Sequence, residues 1–139
     1  RALGMRNTNF RNAHGLTQEG HYSTAHDMTI LGRRLFYDFP QYYNIFSRRS
    51  ADAGIATVSS TNRRFLDSYQ GADGIKTGYT RASGFNLVTS AQADGRSVVG
   101  VVLGRMGFGS TSVTRGNPAF ADAARSSRIA RRVSGSAAA

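Results

Sequence analysis

Lys76 is the only lysine of the chain, and it lies in the run Asp73-Gly74-Ile75-Lys76-Thr77-Gly78-Tyr79-Thr80. Apart from three histidines, every other basic side chain is an arginine. An ammonium is a compact charge whose pKa can be tuned, whereas a guanidinium is a planar fork that stays protonated. The flanking glycines allow a backbone or a substrate to approach closely, and Thr77 adds a neutral hydroxyl donor. The run therefore predicts a site for an anion or a carbonyl group beside a strand, with a surface turn that contains one lysine as the alternative.

The composition is typical of a soluble globular domain with an excess of positive charge. The chain has 139 residues, the length of about one domain, and 40% of them are hydrophobic. No segment approaches the ~20 apolar residues that would span a membrane. The net charge of +10 invites a nucleic-acid interpretation, but the arginines are scattered as singles and pairs without interleaved aromatic residues. Attraction to an anionic envelope polymer or lipid surface explains the charge equally well, so we predict no specific nucleic-acid partner.

Neither a metal site nor a cofactor is predicted. The histidines, His14, His21 and His26, have neither the i, i+4 spacing of a helical zinc site nor a finger pattern, so solvated or capping roles explain them better. The chain has no cysteine, which excludes disulfides and thiolate ligands. The run from Gly71 to Thr77 superficially resembles a phosphate-binding loop, but such a loop needs glycine immediately before its lysine, where this chain has isoleucine.

One clear helix and two weaker ones are predicted. Thr24 with Asp27 three residues later is a capping-box start, and Pro40 ends the helix that follows. The apolar residues of that helix repeat every three or four positions on one face, at Met28, Leu31 and Leu35. Residues 41–46 are aromatic and predict a short helix or turn. Asn117-Pro118 predicts the start of a last helix that runs to about Arg128.

The hydrophobic pattern changes to that of strands from about residue 55. Strands are predicted at 55–59, at 74–80 with Lys76 inside it, and at 85–91 and 97–103. The last two flank Asp94-Gly95, a strong signal for a two-residue hairpin. The nearly continuous apolar run in 98–103 predicts a central strand covered on both faces.

Several spans of the chain, taken in order, add to this pattern. Besides the Lys76 run they are Ala2-Leu3-Gly4-Met5, Thr8-Asn9-Phe10, His14-Gly15-Leu16, Tyr22-Ser23-Thr24-Ala25-His26-Asp27 and Ala82-Ser83-Gly84-Phe85-Asn86-Leu87. Together they resemble the D-alanyl-D-alanine carboxypeptidases, the low-molecular-mass penicillin-binding proteins that trim peptidoglycan stem peptides, in which Lys-Thr-Gly is a signature motif. The resemblance extends from residue 2 to about residue 122. Its order and spacing are more specific than Lys-Thr-Gly alone.

The resemblance implies that the chain carries only part of the family's catalytic domain. The family's nucleophile belongs to a Ser-x-x-Lys motif, but the residue three positions before Lys76 is Asp73, so the chain has no such motif. Ser60-Thr61-Asn62 matches the second motif, Ser-x-Asn, formally; in the family that motif lies upstream of the Ala2–Met5 span, so we interpret the match as a coincidence. Residues 1–125 are then expected to be the C-terminal half of the domain, and residues 126–139 an Arg/Ser/Ala-rich tail or linker.

The implied fold is mixed α+β, an antiparallel sheet flanked by helices as in β-lactamases and DD-peptidases, here incomplete and completed by the missing N-terminal part. In the family a serine is acylated by the penultimate D-Ala carbonyl and releases the terminal D-Ala. By resemblance, Lys76 would supply positive potential for the oxyanion and for proton movement, and Thr77 would bind the terminal carboxylate. Gly78 and Tyr79 would pair with the peptide backbone. Arg115 would reach the same carboxylate.

The resemblance also implies a bacterial envelope location, periplasmic or extracytoplasmic. The D-Ala-D-Ala end of a peptidoglycan stem peptide would be the substrate, and β-lactams would be inhibitors. Two other readings stay open at this point. A β-lactamase-type hydrolase shares Lys-Thr-Gly, although Asp73-Gly74-Ile75 and Tyr79-Thr80 favour the peptidase. A non-enzymatic basic module that binds nucleic acid or another anionic polymer would explain the charge.

Overall fold

The computed structural model describes residues 1–104 and the backbone of residues 110–114. Four of the predictions above lie outside this range and stay predictions: the role of Arg115, the helix at 117–128, the domain boundary at 125 and the tail at 126–139. Within the described range the chain folds into three helices, a short 3₁₀ helix and six strands. None of these helices is long and apolar enough to cross a membrane.

Helix α1 spans Ala25–Asp38, as the sequence predicts. Its first turn is capped by Thr24, whose hydroxyl accepts a hydrogen bond from the Asp27 backbone N–H at 3.1 Å. Pro40 then begins α2, Pro40–Tyr43, which leads into the 3₁₀ helix Asn44–Ser47. Both short elements confirm the helix or turn expected at 41–46. The last helix, α3, spans Arg63–Ser68 and was not predicted.

Six strands form two antiparallel sheets. The small sheet pairs β1, Ser50–Asp52, with β2, Thr57–Ser59. The large sheet contains β3, Ala72–Thr80; β4, Gly84–Ala93; β5, Arg96–Leu103; and β6, Ser110–Thr114, in the order β3-β4-β5-β6. The mixed α+β fold with an antiparallel sheet is therefore confirmed. The strand expected at 55–59 begins two residues later than predicted, because Ile55 lies in the exposed turn between β1 and β2.

The β4–β5 hairpin confirms the signal of Asp94-Gly95. Ala93 pairs with Arg96, which leaves those two residues as the whole loop. Asp94 has φ 51° and Gly95 has φ 71°, and positive φ at both central residues matches the right-handed twist of the flanking strands.

The core lies between α1 and the large sheet. Val99 and Val101 of β5 are 1% and 0% exposed, and both belong to the core cluster. Gly32 of α1 lets the helix come close, since a Cβ there would lie only 3.1 Å from side-chain atoms of Ile75 and Val99. On the other face of β5, Val98 and Val102 stay partly exposed among the described residues. Among the described residues, the prediction that this strand is covered on both faces is therefore confirmed for one face only.

The first 24 residues contain little regular structure and are held by one buried carboxylate. Asp27 is 1% exposed, and its Oδ2 accepts hydrogen bonds from the Asn7 backbone N–H at 2.8 Å and from the Thr8 hydroxyl at 2.7 Å. The Thr8 bond is the largest cause that lowers the pKa of Asp27. The capping-box prediction is therefore correct for the Thr24 side chain. The Asp27 carboxylate instead bonds Asn7 and Thr8, far away in the sequence. An isolated bridge between Asn9 and Tyr22 closes the segment between them into a loop.

Candidate active site

Strand β3 presents Lys76 to solvent at the edge of the large sheet. Ile75 is 6% exposed and packs in the core cluster, while Lys76, the next residue, is exposed. Adjacent residues of a strand point to opposite faces, so the buried Ile75 fixes the direction of Lys76. Within the described part of the chain β3 pairs only with β4, which leaves its other edge unpaired.

Thr61 joins Lys76 and Thr77 through hydrogen bonds. Lys76 Nζ donates to Thr61 Oγ1 at 3.4 Å and also to the Thr77 backbone carbonyl. The Thr77 hydroxyl lies 2.7 Å from Thr61 Oγ1. One hydroxyl therefore contacts both chemical groups of the Lys-Thr-Gly motif. Sequence reasoning missed Thr61, because its tripeptide, Ser60-Thr61-Asn62, was set aside as a coincidental match.

The residues around Thr61 form a tight turn between β2 and α3. The Ser60 backbone N–H donates to the Arg49 carbonyl at 2.8 Å, and the Ser60 carbonyl accepts from the Arg63 backbone N–H at 3.1 Å. Asn62 is 2% exposed, and its carbonyl accepts from the Phe65 backbone N–H at 3.1 Å. Thr61 is thus carried by backbone that is bonded on both sides.

A cavity of about 310 Å³ lies beside the same group. Its lining combines apolar and polar side chains; the residues are Ile45, Phe46, Ser59, Ser60, Thr61, Ile75 and Lys76. A concave site with apolar walls and a few convergent polar groups is the usual form of a small-molecule site.

Further along β3, no other described strand pairs with its free edge. A Cβ built on Gly78 would meet no atom within 4 Å, and Tyr79 is 61% exposed. The Tyr79 ring packs against Phe85 of β4 with the ring centroids 4.6 Å apart. An extended peptide could therefore approach this edge without displacing side chains.

A polar network that is buried at Tyr43 and Ser90 holds the beginning of β3. The Tyr43 hydroxyl donates to Ser90 Oγ at 2.7 Å, and Ser90 Oγ donates to Asp73 Oδ1 at 2.6 Å. Gln92 Nε2 donates to Asp73 Oδ2, also at 2.6 Å. The register between β3 and β4 shifts between Ala72 and Gly74, so these bonds fasten the strand where the ladder is irregular. Lys76 follows this point by a few residues.

Tyr43 is 7% exposed, and burial raises its pKa to about 12, against a smaller opposing effect of the Ser90 hydrogen bond. We expect Tyr43→Phe to lower the free energy of unfolding by about 1–2 kcal/mol, because the buried Ser90 hydroxyl, which donates to Asp73, then loses its own donor. The pKa of Tyr43 is higher in the folded protein than its unfolded value of 10.0. The stabilisation by the Tyr43 hydroxyl is therefore complete below pH 10 and is lost as pH rises through about 12.

Two measurements check this on the catalytic domain that contains the chain: urea unfolding, and a spectrophotometric titration of the tyrosines. The tyrosine that ionises last should be missing from the Tyr43→Phe titration. Tyr42→Phe is the matched control, because Tyr42 is 66% exposed. Equal losses of stability in the two variants would contradict the network.

The other residues singled out in the sequence are Arg115 and the histidines. Arg115 lies outside the described residues, so its proximity to Lys76 is a prediction still. His21 Nδ1 accepts a hydrogen bond from the Arg11 backbone N–H at 2.9 Å, and His14 Nδ1 accepts one from the Leu16 backbone N–H at 3.2 Å. Both are local contacts of the first loop. Among the described residues no cluster of three or more His, Asp or Glu side chains could hold a metal ion.

Comparison with known proteins identifies the family of the chain. A profile described as D-alanyl-D-alanine carboxypeptidase matches residues 1–107, which include Thr61, Lys76 and Thr77. The chain belongs to this family. The carboxypeptidase DacA of Escherichia coli is 36% identical over 107 residues, and DacF of Bacillus subtilis is 38% identical over 107 residues. These matches cover 77% and 73% of this chain but 27% of each relative, so the chain spans about a quarter of the length of these carboxypeptidases.

Solved structures of penicillin-binding proteins share the fold. Penicillin binding protein 5 of Haemophilus influenzae matches with a TM-score of 0.69 at 36% identity, over 74% of this chain and 30% of that one. Penicillin-Binding Protein D2 of Listeria monocytogenes in its ampicillin-bound form matches with a TM-score of 0.68 at 33% identity, over 75% of this chain and 44% of that one. The resemblance inferred from the sequence is confirmed, and so is its partial coverage of the family's length.

Proposed function

We propose that this chain is the Lys-Thr-Gly part of a serine-type D-Ala-D-Ala carboxypeptidase domain, which removes the terminal D-Ala from peptidoglycan stem peptides. The observation that carries the proposal is the joined arrangement of Lys76, Thr77 and Thr61 on an exposed strand edge beside a cavity, in a chain that belongs to the family. The chain has no Ser-x-x-Lys motif. The nucleophilic serine would therefore come from another part of the domain.

Each group of the site has a role in such a reaction. The serine would attack the penultimate D-Ala carbonyl, the terminal D-Ala would leave, and water would then hydrolyse the acyl-enzyme. The Lys76 ammonium has three N–H donors, of which the structure uses two, for Thr61 and the Thr77 carbonyl. Its charge would stabilise the oxyanion and favour proton movement to the leaving amine. Thr77 would donate to the terminal carboxylate.

The open edge of β3 would hold the peptide. An added strand would pair with the backbone on the free edge of β3 around Gly78 and Tyr79, and the absence of a Cβ at Gly78 permits close approach. Arg115, which follows β6 directly in sequence, would supply a second cation for the carboxylate. No metal or cofactor is needed for these steps.

The same site would bind β-lactams. The structures of the Listeria monocytogenes relative are ampicillin- and cefotaxime-bound forms. A penicillin presents a reactive carbonyl and a carboxylate at a spacing similar to that of a D-Ala-D-Ala end, so Lys76 and Thr77 would meet equivalent groups. Because peptidoglycan lies outside the cytoplasmic membrane, the proposed location is the bacterial envelope, periplasmic or extracytoplasmic.

Charge favours a second candidate, a basic module for anionic polymers, but the structure assigns several arginines to internal pairs. Arg49 and Arg63 both bond Asp67, and the Arg49 hydrogen bond is the largest cause that lowers the pKa of that carboxyl. Arg34 pairs with Asp38 within α1. These pairs engage three arginines but leave the net charge of +10 unchanged, so it is the family membership that favours the peptidase over the basic module.

Incubation with a labelled penicillin tests the proposed function. We expect the catalytic domain that contains this chain to form one covalent acyl adduct, detected by intact mass spectrometry, on a serine outside residues 1–139. The 139-residue chain alone should form none, because it lacks the nucleophile motif. A stoichiometric adduct on any serine of the chain, or none on the domain, would contradict the proposal.

A further inference from the structure

Thr61 lies where it can control the Thr77 hydroxyl, a role that the Lys-Thr-Gly motif does not include. Its Oγ1 is 3.4 Å from Lys76 Nζ and 2.7 Å from Thr77 Oγ1. We propose that Thr61 is a positioning residue, which aims the Thr77 hydroxyl at the carboxylate of the substrate through hydrogen bonds that begin at the Lys76 ammonium. The proposal rests on the proposed function, since it assumes that a carboxylate binds at Thr77.

The count of protons and lone pairs in this group gives the direction of the bonds. A hydroxyl has one proton to donate and two lone pairs, whereas an ammonium only donates. Thr61 Oγ1 therefore accepts from Lys76 and cannot donate back to it. With the site empty, the Thr77 hydroxyl donates to the same oxygen, Thr61 Oγ1. Thr61 then keeps its own proton, and Thr77 has none left for a ligand.

A carboxylate at Thr77 reverses one bond. Both hydroxyl protons can rotate about their C–O bonds without movement of any heavy atom. Thr61 then donates to Thr77, and the Thr77 proton turns to the carboxylate. The resulting chain runs from the Lys76 ammonium through Thr61 and Thr77 to the ligand. Hydrogen bonds that point the same way polarise one another, so the ammonium strengthens the donor that Thr77 offers.

The scaffold supports this role because Thr61 is fixed independently of the ligand. Its neighbours, Ser60 and Asn62, are bonded through their backbone to Arg49, Arg63 and Phe65. Ile75, which precedes Lys76, is buried in the core. The two sides of the hydroxyl pair are thus mounted on a turn and on a strand, both held by their own contacts. A donor held in this way binds without first being ordered.

Variants of the catalytic domain that contains this chain test the proposal. The pair is Thr61→Val, which removes the hydroxyl at similar volume, and Thr61→Ser, which keeps it. We expect Thr61→Val to lower the second-order acylation rate by a penicillin about tenfold, the scale of one hydrogen bond to a charged group, and to act mainly on binding; Thr61→Ser should restore the rate. With the methyl ester of the same penicillin, Thr61→Val should match the unsubstituted domain.

A double variant separates positioning from a merely structural effect. Thr77→Val and Thr61→Val together should be no slower than Thr77→Val alone, because Thr61 acts only through Thr77. Losses that multiply, or an equal loss with the ester, would overturn the proposal. A domain that forms no acyl adduct before substitution contradicts the proposed function instead.

An NMR measurement tests the positioning of Thr77 by Thr61 without catalysis, and therefore also applies to a domain that forms no acyl adduct. Three-bond couplings in NMR report the side-chain rotamer of Thr77. We expect one rotamer in the unsubstituted protein and in Thr61→Ser, and averaging among rotamers in Thr61→Val. A Thr77 rotamer that is unaffected by Thr61→Val would overturn the proposal whatever the activity.

Discussion

Replacement of Lys76 by alanine in the catalytic domain should slow acylation by D-Ala-D-Ala peptides and by penicillin about 10²–10³-fold, the usual effect of the loss of one preorganised electrostatic group. Lys76 Nζ donates to the Thr77 carbonyl, a bond that does not depend on Thr61, so the ammonium is in place before a ligand binds. Both substrates bring a carbonyl and a carboxylate to the same strand. Stopped-flow acylation with a chromogenic cephalosporin, and release of D-Ala from a stem-peptide analogue, measure the two rates.

Two further variants make this result specific. Lys76→Arg keeps the charge but replaces a point charge by a planar fork, which fits neither Thr61 nor the Thr77 carbonyl in the same way; we expect it to restore only a small part of the rate. Arg96→Ala removes an exposed cation at the β4–β5 hairpin and should leave the rate unchanged. If Lys76→Ala acylates at the rate of the Arg96→Ala control, Lys76 has no role in the site.

Gly71→Ala should cost more than about 3 kcal/mol of folding free energy, a loss large enough to unfold many domains. Gly71 has φ +85°, and an added Cβ would lie 1.9 Å from the Gln92 carbonyl oxygen. A neighbour that is backbone cannot rotate away. Relief would have to break the 2.8 Å bond from the Gln92 N–H to the Gly71 carbonyl, and would disturb the Gln92 contact with Asp73.

Gly54→Ala is the matched control for this experiment. Gly54 has φ +83°, but a Cβ there would meet no atom within 4 Å. It therefore carries only the penalty of the left-handed backbone, about 1–2 kcal/mol. Urea unfolding of both variants gives the comparison. Equal losses would show that the Gln92 carbonyl can move aside and that the start of β3 is not rigid.

Helix α1 and three strands of the large sheet, β3, β4 and β5, could be predicted from sequence because their signals are local, whereas β6 was not predicted. Asp94-Gly95 determines a hairpin by its two positive φ angles, and Thr24 caps the helix that follows it. The missed elements lack such signals. Strand β1 is exposed at every residue, so it shows no alternation, and α3 has six residues, too few for a helical period. Helix α3 also depends on a distant contact, since Arg49 Nη2 donates to the Leu66 carbonyl.

The residues of the candidate site likewise fall into those that the sequence predicts and those that it does not. Lys76, Thr77 and the open edge at Gly78 belong to one motif, and they could be named from the sequence. Thr61 could not, because its contact with Lys76 spans 15 positions and depends on how the turn after β2 folds back onto β3. The second function of Asp27 was missed for a similar reason, since its partners Asn7 and Thr8 lie 20 and 19 residues away.

Because Asn9 and Tyr22 are bridged, the length of the loop between them does not affect the position of the rest of the fold. Asp27 fastens the chain at Asn7 and Thr8, before the bridge, and α1 begins just after it. The residues between Asn9 and Tyr22 therefore form a loop whose two ends are held together by the bridge. The entropy of closing such a loop grows only slowly, by about 0.6 kcal/mol for each doubling of its length. Insertions between residues 12 and 18 would leave the sheet and Lys76 where they are, so peptide epitopes or affinity tags can be placed there.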